Sequence, residues 1–372
     1  MFIKHVFFVI LMMVINMLMY VIIFLLIYIM FTILYYNLRT ISRVTVIDKL
    51  KMHRAYKFLI VFLILCLLLI FYNVVNFVII MIHLSVFLGL STLLLFLFRK
   101  IFKKEFKTNN IKVILGVIIT IIYLGIGTYL NYHIFETKYE IYNDKGVNLR
   151  IIQIADSHVG TTFDGNGFYK EMEKLSKIDT DLFVVTGDFV DDDTTREDMI
   201  RSCEALGLLK PKYGVYFVYG NHDKGYYDRG AYTLDELVNE LKKNNVHILV
   251  DEVETFDNFY LIGREDRRFK RKSMNELVEG LDDRYKIVLN HQPNDYDNEK
   301  GKVDLVLSGH THGGQMFPLA IVGILSGSND SEYGLKTIDN TNCIVTSAIS
   351  DWTIQFKTGT KSEYVIIDIK NK

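Results

Sequence analysis

Residues 58–98 contain no Lys, Arg, Asp or Glu, and this uncharged stretch constrains the fold more than any other feature of the chain. A helix that crosses a bilayer needs ~20 apolar residues, and the stretch is about twice that length. It therefore predicts a hairpin of two membrane-spanning helices. The polar residues Tyr72, Asn73 and Asn76 mark the expected turn between them.

Two further stretches, 6–36 and 113–130, are also apolar and uncharged. We therefore predict an all-α transmembrane domain of about four helices over residues 1–138. A cleaved signal peptide fits poorly, because the first stretch is too long for the apolar part of such a peptide and lacks a small-residue cleavage site. The expected spans are 6–36, 58–73, 77–98 and 113–131.

The loops between these spans are basic. Loops 37–57 and 99–112 each hold six Lys or Arg residues against one acidic residue. Basic loops remain on the cytoplasmic side of a membrane, and both can do so only if 58–98 crosses twice. The sequence thus predicts a multi-pass cell-membrane protein whose C-terminal domain is extracytoplasmic.

The charge balance changes after residue 138. Residues 1–138 hold 14 Lys/Arg and 3 Asp/Glu, whereas 139–372 hold 28 and 40, out of 42 and 43 in the whole chain. An acidic domain lacks the cationic surface that nucleic-acid binding requires. We therefore expect a lipid bilayer as the partner of the first part, and no nucleic acid as the partner of the second.

Residues 139–372 alternate short β-branched runs with helical stretches, which predicts an α/β domain with sheets in layers and helices outside. Five predicted strands end directly before a motif rich in His, Asp and Asn. Sites in such sheets assemble at the carboxyl ends of the strands, so these motifs should converge on one rim. They are Asp156-Ser157-His158, Gly187-Asp188-Phe189-Val190-Asp191, Gly220-Asn221-His222-Asp223, Asn290-His291 and Gly309-His310-Thr311-His312.

Imidazole, carboxylate and amide side chains together form a ligand set for a pair of borderline divalent cations. Five of the six histidines beyond residue 138 lie in these motifs, and only His247 stands outside, as an expected surface or core residue. Glycines 187, 220 and 309 are expected to allow the sharp turns that point the next side chain at the metal ions.

The five motifs, in this order, resemble those of the calcineurin-like metallophosphoesterase superfamily. The run from Gly309 to Pro318 is similar to the bacterial membrane-anchored phosphodiesterase subgroup. The resemblance covers roughly 148–369 and implies a four-layer α/β/β/α sandwich. The expected fold is therefore this α/β (α+β) metallophosphoesterase sandwich over residues 139–372, preceded by the transmembrane domain.

The resemblance also implies which residues bind metal. It implies a binuclear centre of two divalent ions, Mn, Zn or Fe, with one carboxylate shared between them. The implied ligands are Asp156, His158 and His312 for the first ion, Asn221, His291 and His310 for the second, and Asp188 as the bridge.

Two further motif residues resemble the family's acid catalyst and its support. His222 matches the acid that protonates the leaving group, and Asp191 matches the carboxylate that orients it. Asp223 is an alternative partner of His222. The implied reaction is attack on phosphorus by a hydroxide activated by both metal ions.

The expected activity is hydrolysis of a phosphodiester of a lipid or cell-envelope precursor, because the anchor holds the site near the membrane. Two alternatives stay open: a phosphomonoesterase acting on a soluble nucleotide, and a catalytically silent membrane receptor for a phosphorylated ligand. Residues 346–357 depart from the subgroup, because they keep an aromatic residue, Trp352, but lack its Gly, Pro and Arg. This departure concerns the shape of the substrate pocket rather than the metal site.

Overall fold

The computed structural model describes residues 25, 27–44, 47, 49–103, 108–225, 231–317 and 319–372. The chain divides into two compact units, Met1–Gly125 and Ile126–Lys372. The expected domain boundary at 138/139 stays a prediction; it falls inside the first strand, β1 (Ile134–Asn143), which belongs to the second unit. Exposed charged residues such as Glu136 and Lys138 make this edge strand look like a polar linker in the sequence.

The described residues of the first unit are mainly helical. Its hairpin breaks close to the expected turn, and the Asn73 side chain caps the helix that follows by accepting the backbone N–H of Asn76 at 2.8 Å. Asn76 therefore lies within the helix rather than in the turn. The elements are helical residues 27–41, α1 (Arg54–Cys66), a 3-10 turn (Leu67–Ile70), α2 (Val74–Phe102) and the first part of α3 (Thr108–Tyr132).

Two helices among the described residues are long and apolar enough to cross a membrane, Val74–Phe102 and Asn109–Tyr132. Helix α1 has 13 residues, fewer than the ~20 that a span needs. The expected span 6–36 lies mostly outside the described residues. The arrangement of four spans therefore stays a prediction.

The second unit contains two mixed sheets. Within the described residues, the first sheet has the strand order β1-β12-β2-β3-β4-β5, and β2, β3, β4 and β5 run parallel. Helices lie between successive parallel strands. The elements are β2 (Leu149–Ile154), α4 (Gly165–Leu175), β3 (Leu182–Thr186), α5 (Arg196–Leu206), β4 (Val215–Val218), α6 (Leu234–Lys243), β5 (Val246–Ile248) and β12 (Ser362–Asn371).

The second sheet has the order β10-β11-β9-β8-β7-β6 within the same part of the chain, and β7, β8, β9 and β11 are parallel to their neighbours in that run. Its elements are β6 (Glu252–Thr255), β7 (Phe259–Gly263), α7 (Met274–Val278), β8 (Tyr285–Leu289), α8 (Tyr296–Glu299), β9 (Leu305–Ser308), a 3-10 turn (His312–Gly314), α9 (Leu319–Ser326), β10 (Gly334–Ile338) and β11 (Thr341–Val345).

Alternation along the strands builds the layers. Ile151 belongs to the core between the two sheets, whereas its neighbour Ile152 belongs to the core between the first sheet and helices α4, α5 and α6. The outer face of the second sheet packs through Val288 against Met274 of α7. Because these strands are covered on both faces, they read as continuous apolar runs in the sequence.

The mixed α/β sheets agree with the expected fold class. The cysteines Cys203 and Cys343 are both free and buried. The sequence interpretation did not identify β1, the edge strands β6 and β10, or helix α9. The first three carry alternating or exposed polar residues, and the last is short.

Candidate metal centre

The five motifs follow strands whose carboxyl ends lie at one edge of each sheet. Strands β2, β3 and β4 lead to the first three motifs, and β8 and β9 lead to the last two. Because the members of each set run parallel, their ends are adjacent. The structure brings all nine expected site residues to this edge, as the contacts below describe.

A first group of possible ligands contains Asp156, His158 and His312, whose side-chain ligand atoms lie within 4.8 Å of one another. His312 Nε2 lies 3.6 Å from Asp156 Oδ1, and the His158 and His312 rings stack with centroids 5.2 Å apart. The Asp156 carboxylate also accepts the backbone N–H of His310 at 3.0 Å, which ties the last motif to the first.

A second group contains Asp188, His291 and His310. His291 Nδ1 donates to the backbone oxygen of Thr186 at 2.8 Å, which turns Nε2 toward Asp188 Oδ2 at 3.2 Å and Asn221 Oδ1 at 3.3 Å. A hydrogen bond from the other ring nitrogen is the usual way in which a metal-binding histidine is oriented. Asn221 therefore lies beside this group, as expected.

Asp188 lies between the two groups. Its Oδ2 atom is 3.2 Å from His291 Nε2 and 3.8 Å from His158 Nε2. Its Oδ1 atom accepts the backbone N–H of His222 at 2.8 Å. This position suits a carboxylate that contacts two cations at once.

The charges of the cluster favour cation binding. Although burial opposes it, the Asp188 carboxylate raises the pKa of His291 to about 10, and His291 and His158 in turn hold the pKa of Asp188 well below its usual range. Burial, together with the charge of His291, lowers the pKa of His310 to about 3, so this ring is neutral. A cation that binds here must displace the proton of His291, which makes its affinity depend on pH.

Unpaired nitrogen atoms show that the cluster fits a metal. The Nε2 atom of His158 and the Nδ1 atom of His312 are buried and make no hydrogen bond within the described part of the chain. A buried polar atom without a partner costs free energy. Imidazole and carboxylate groups are the ligands of borderline divalent cations, so a bound cation would satisfy these atoms.

The backbone at the ligands is strained. Asp156, His158, Asp188, His310 and His312 all have φ between 37° and 71°, a region that residues other than glycine rarely adopt. Such conformations cost about 1–3 kcal/mol each and persist where the surrounding structure fixes them.

Asp223 fixes much of this strained backbone. Its carboxylate accepts the backbone N–H groups of Asp188 at 2.8 Å and Gly220 at 2.7 Å, and also those of Phe189 and Val190. Hydrogen bonds to an ionised acceptor are stronger than neutral ones. Asp223 therefore holds two motif loops together, which the sequence interpretation did not anticipate.

The motif glycines serve two different purposes. Gly187 has φ of 87°, as a sharp turn requires. Gly220 and Gly309 have no such conformation, but a Cβ atom would collide with the Asp188 carboxylate at Gly220 and with the Asp156 carboxylate at Gly309. The expectation of a turn is thus right for Gly187, whereas the other two glycines provide space.

His222 lies at the rim of the cluster, with 12% of its side chain exposed. Its Nδ1 atom is 2.9 Å from Asp191 Oδ1, and Asp191 Oδ2 is 3.0 Å from His158 Nδ1. Burial raises the pKa of Asp191, but these two histidines outweigh burial and keep the carboxylate ionised. Asp191 therefore orients both an acid candidate and a ligand candidate.

His247, the one histidine beyond residue 138 that lies outside the motifs, does not join the cluster. It is exposed, and its ring stacks on Tyr216 with centroids 4.9 Å apart.

The 346–357 segment contributes residues that sequence reasoning missed. Asp351 Oδ1 lies 3.5 Å from His312 Nδ1, and Gln315 donates to the other oxygen of Asp351. Lys357 is fully buried, and its Nζ donates to the backbone oxygens of Ser347 at 2.8 Å and Ser350 at 3.0 Å. The signal available in the sequence was a lysine in the segment where the subgroup has an arginine.

Comparison with known proteins agrees with this geometry. Residues 149–314 match the family model described as calcineurin-like phosphoesterase. This matched region of the chain, residues 149–314, belongs to the calcineurin-like metallophosphoesterase superfamily. This confirms the resemblance at the level of the superfamily, which consists of metal-dependent phosphoester hydrolases; the subgroup stays a prediction.

Relatives with similar sequences occur in animals and bacteria. The chain is 30% identical over 238 residues to a zebrafish (Danio rerio) protein named "Transmembrane protein with metallophosphoesterase domain", covering 60% of this chain and 53% of that protein. It is 29% identical to an uncharacterised metallophosphoesterase of Campylobacter jejuni, covering 60% of each chain. It is 28% identical to one of Aquifex aeolicus, covering 65% of this chain and 94% of the other. The match thus spans half to three fifths of the first two relatives.

We predict that Asp188→Asn will lose at least one metal ion and most hydrolytic activity, because a neutral amide bridges two cations poorly. Metal content of the purified full-length variant, measured by plasma mass spectrometry, tests this. The matched control is Asp193→Asn, which makes the same change at an exposed residue of the same loop. Wild-type metal content in Asp188→Asn would contradict the assignment of Asp188 as the bridging ligand.

We also predict that Lys357→Met lowers stability, because it leaves the backbone oxygens of Ser347 and Ser350 buried without a donor. A buried unsatisfied group costs about 1–3 kcal/mol. Thermal unfolding of the full-length protein in detergent should show a lower midpoint than that of Lys170→Met, a change at an exposed helical lysine. Equal midpoints for both variants would contradict the assigned hydrogen bonds.

Proposed function

We propose that the chain is a membrane-anchored, metal-dependent phosphoesterase that hydrolyses a phosphodiester of a lipid or cell-envelope precursor. The observation that supports this most is the meeting of two ligand groups at Asp188, beside the pair His222 and Asp191. One site thus combines places for two cations with a possible proton donor.

Two divalent cations, when bound, would polarise the phosphate and lower the pKa of a water molecule near it. The groups described above would hold them: Asp156, His158 and His312 on one side, Asn221, His291 and His310 on the other, and Asp188 between. Asn221 supplies a neutral oxygen, so the loaded site would keep a net positive charge that attracts an anionic phosphate.

His222 is proposed as the general acid. The ionised carboxylate of Asp191 accepts a hydrogen bond from Nδ1–H of His222, which fixes the orientation of the ring. The ring lies at the rim of the cluster, 5.0 Å from the His158 ring and 6.1 Å from that of Trp352. There it could give a proton to the leaving oxygen of a phosphate held by the cations.

The apolar helices support a substrate that is linked to a lipid. Within the described ranges, two helices are long and apolar enough to span a bilayer, and the zebrafish and bovine relatives are named transmembrane proteins. Only His133 separates α3 from β1, so the apolar helix leads directly into the first strand of the catalytic unit. A substrate embedded in the same bilayer would reach such a site without leaving the membrane.

Two alternatives predict different results in one assay. A phosphomonoesterase would prefer a nucleotide monoester in solution, and a silent receptor would bind a phosphorylated ligand without turnover. All seven expected ligands and His222 are present, which favours an enzyme over a receptor. Full-length protein in detergent, supplied with Mn²⁺ and tested on lipid-linked diesters, soluble diesters and nucleotide monoesters, distinguishes the three.

We predict that His222→Ala will keep its metal ions but hydrolyse alkyl phosphoesters roughly 10²–10⁴-fold more slowly, the usual contribution of general acid catalysis. The loss should be much smaller for nitrophenyl esters, because nitrophenolate leaves without protonation. Hydrolysis rates for both ester classes, with His247→Ala as the control, test the assignment. Equal losses in both classes would mean that His222 positions the phosphate and another group supplies the proton.

We further predict that both basic loops are cytoplasmic and that the C-terminus is outside. A phosphatase reporter fused after Lys372 should be active, since such reporters require export, and a fluorescent reporter that matures only in the cytoplasm should remain dark. The opposite pattern would rule out the extracytoplasmic site and the arrangement of four spans together.

A further inference from the structure

Helix α9 exposes large apolar side chains on the surface of the catalytic unit. Leu325 is 80% exposed, Phe317 66%, Ile324 57% and Ile321 51%. We call these four residues the α9 surface. The helix itself, Leu319–Ser326, contains no charged residue, unlike a water-facing helix of a soluble domain.

The exposed residues share one face of the helix. Ile321, Ile324 and Leu325 have the i, i+3, i+4 spacing that aligns side chains in a helix. The small residues of the helix pack against the domain. Ala320 packs on Gly314, and Gly323 packs on the carboxylate of Glu332 with no room for a Cβ atom. The α9 surface is therefore the outer face of a helix that is already fixed to the domain through its other face.

The α9 surface lies beside the end of the apolar helix α3. A Cβ atom at Gly127 of α3 would contact the side chain of Thr358, and one at Gly359 would contact the backbone of Phe317. Lys357 also donates its backbone N–H to the oxygen of Gly127 at 3.0 Å. The last turns of α3 thus contact Thr358, and the next residue, Gly359, contacts Phe317 at the start of the α9 surface.

Exposed aromatic residues also lie in the last turns of α3. Tyr129 and Tyr132 in the last turns of α3 are 57% and 49% exposed, and the Tyr129 ring stacks on His133. Tyrosines concentrate where membrane-spanning helices leave the hydrocarbon for the headgroups. Phe317 is therefore adjacent to the segment where α3 would leave the bilayer.

We infer that the α9 surface rests in the headgroup and upper acyl-chain region of a lipid bilayer, as a second membrane contact of the catalytic unit. Helices that lie in this region bury an apolar face to a shallow depth while the other face remains out of the lipid. Because α9 begins at Leu319, seven residues after His312 of the ligand motif, this contact would hold the metal centre close to the lipid headgroups. The inference goes beyond the proposed reaction and does not require turnover.

Fluorescence quenching by brominated lipids tests the inference on the full-length protein. The chain has one tryptophan, so Trp352→Phe provides a background without tryptophan. A single tryptophan is then introduced by Leu325→Trp, and the protein is reconstituted into vesicles of phosphatidylcholine and phosphatidylglycerol with brominated acyl chains. We expect a blue-shifted emission, loss of most of the fluorescence in the brominated vesicles, and little quenching by aqueous acrylamide.

The control is Tyr142→Trp in the same background. Tyr142 is 55% exposed and lies near the far end of β1, eight residues from Ile134, which is roughly 26 Å along a strand. This tryptophan should be quenched by acrylamide and not by brominated lipid. Phe317→Trp provides a second probe of the α9 surface if Leu325→Trp does not fold to the wild-type circular dichroism spectrum.

Two outcomes would overturn the inference. If the tryptophan introduced at Leu325 or at Phe317 is quenched by acrylamide as strongly as the control, the α9 surface faces water. If it is shielded from both quenchers, a protein surface, such as a second copy of the chain, covers it instead. Either result would leave the proposed phosphoesterase reaction untouched, because these measurements read the environment of the helix rather than catalysis.

Discussion

The buried carboxylate of Asp188 is the interaction on which the site depends. A negative charge removed from water is costly unless it is paired and hydrogen-bonded. Asp188 meets this requirement through His291, His158 and the backbone N–H of His222, which come from three other motifs. Pairing this one charge therefore draws the ends of strands from both sheets toward one point.

The same charge explains why the nearby backbone is so restricted. Gly220 must lack a side chain because the Asp188 carboxylate occupies the space where its Cβ would be. Asp223 must accept the N–H groups of both loops, because residues with positive φ would relax without such restraint. The strained backbone at the ligands is thus held by hydrogen bonds to the carboxylate of Asp223, which belongs to neither ligand group.

The sequence predicted the cluster but not its supports, and the reason is physical. Ligand types at strand ends follow from local pattern, so His158, Asp188 and His310 could be placed on one rim from the sequence alone. The role of Asp223 depends on the distance between two loops, and the role of Lys357 depends on the path of residues 346–357 before β12. Such contacts between distant segments leave no periodic signal in the sequence.

The same distinction applies to the fold. Strands covered on both faces, such as β3, are apolar runs bounded by turn residues, and the sequence predicted them. Strand β1 is half exposed and charged, so only its ten-residue parallel pairing with β12 reveals it. Helix α9 is an apolar run of eight residues, a length at which periodicity cannot separate helix from strand or loop.

Strand pairing also decides how the site relates to the end of the apolar helix. Strand β1 continues from α3 after His133 alone, and its partner β12 begins at Ser362, whose hydroxyl donates to the backbone oxygen of Asn131 at 2.7 Å. The chain just before β12 contains Lys357, which donates to the backbone of the loop that leads to Asp351, and the Asp351 carboxylate lies 3.5 Å from His312 Nδ1. Within the second unit, a strand ladder and a buried lysine thus join the last turn of α3 to the rim of the metal centre.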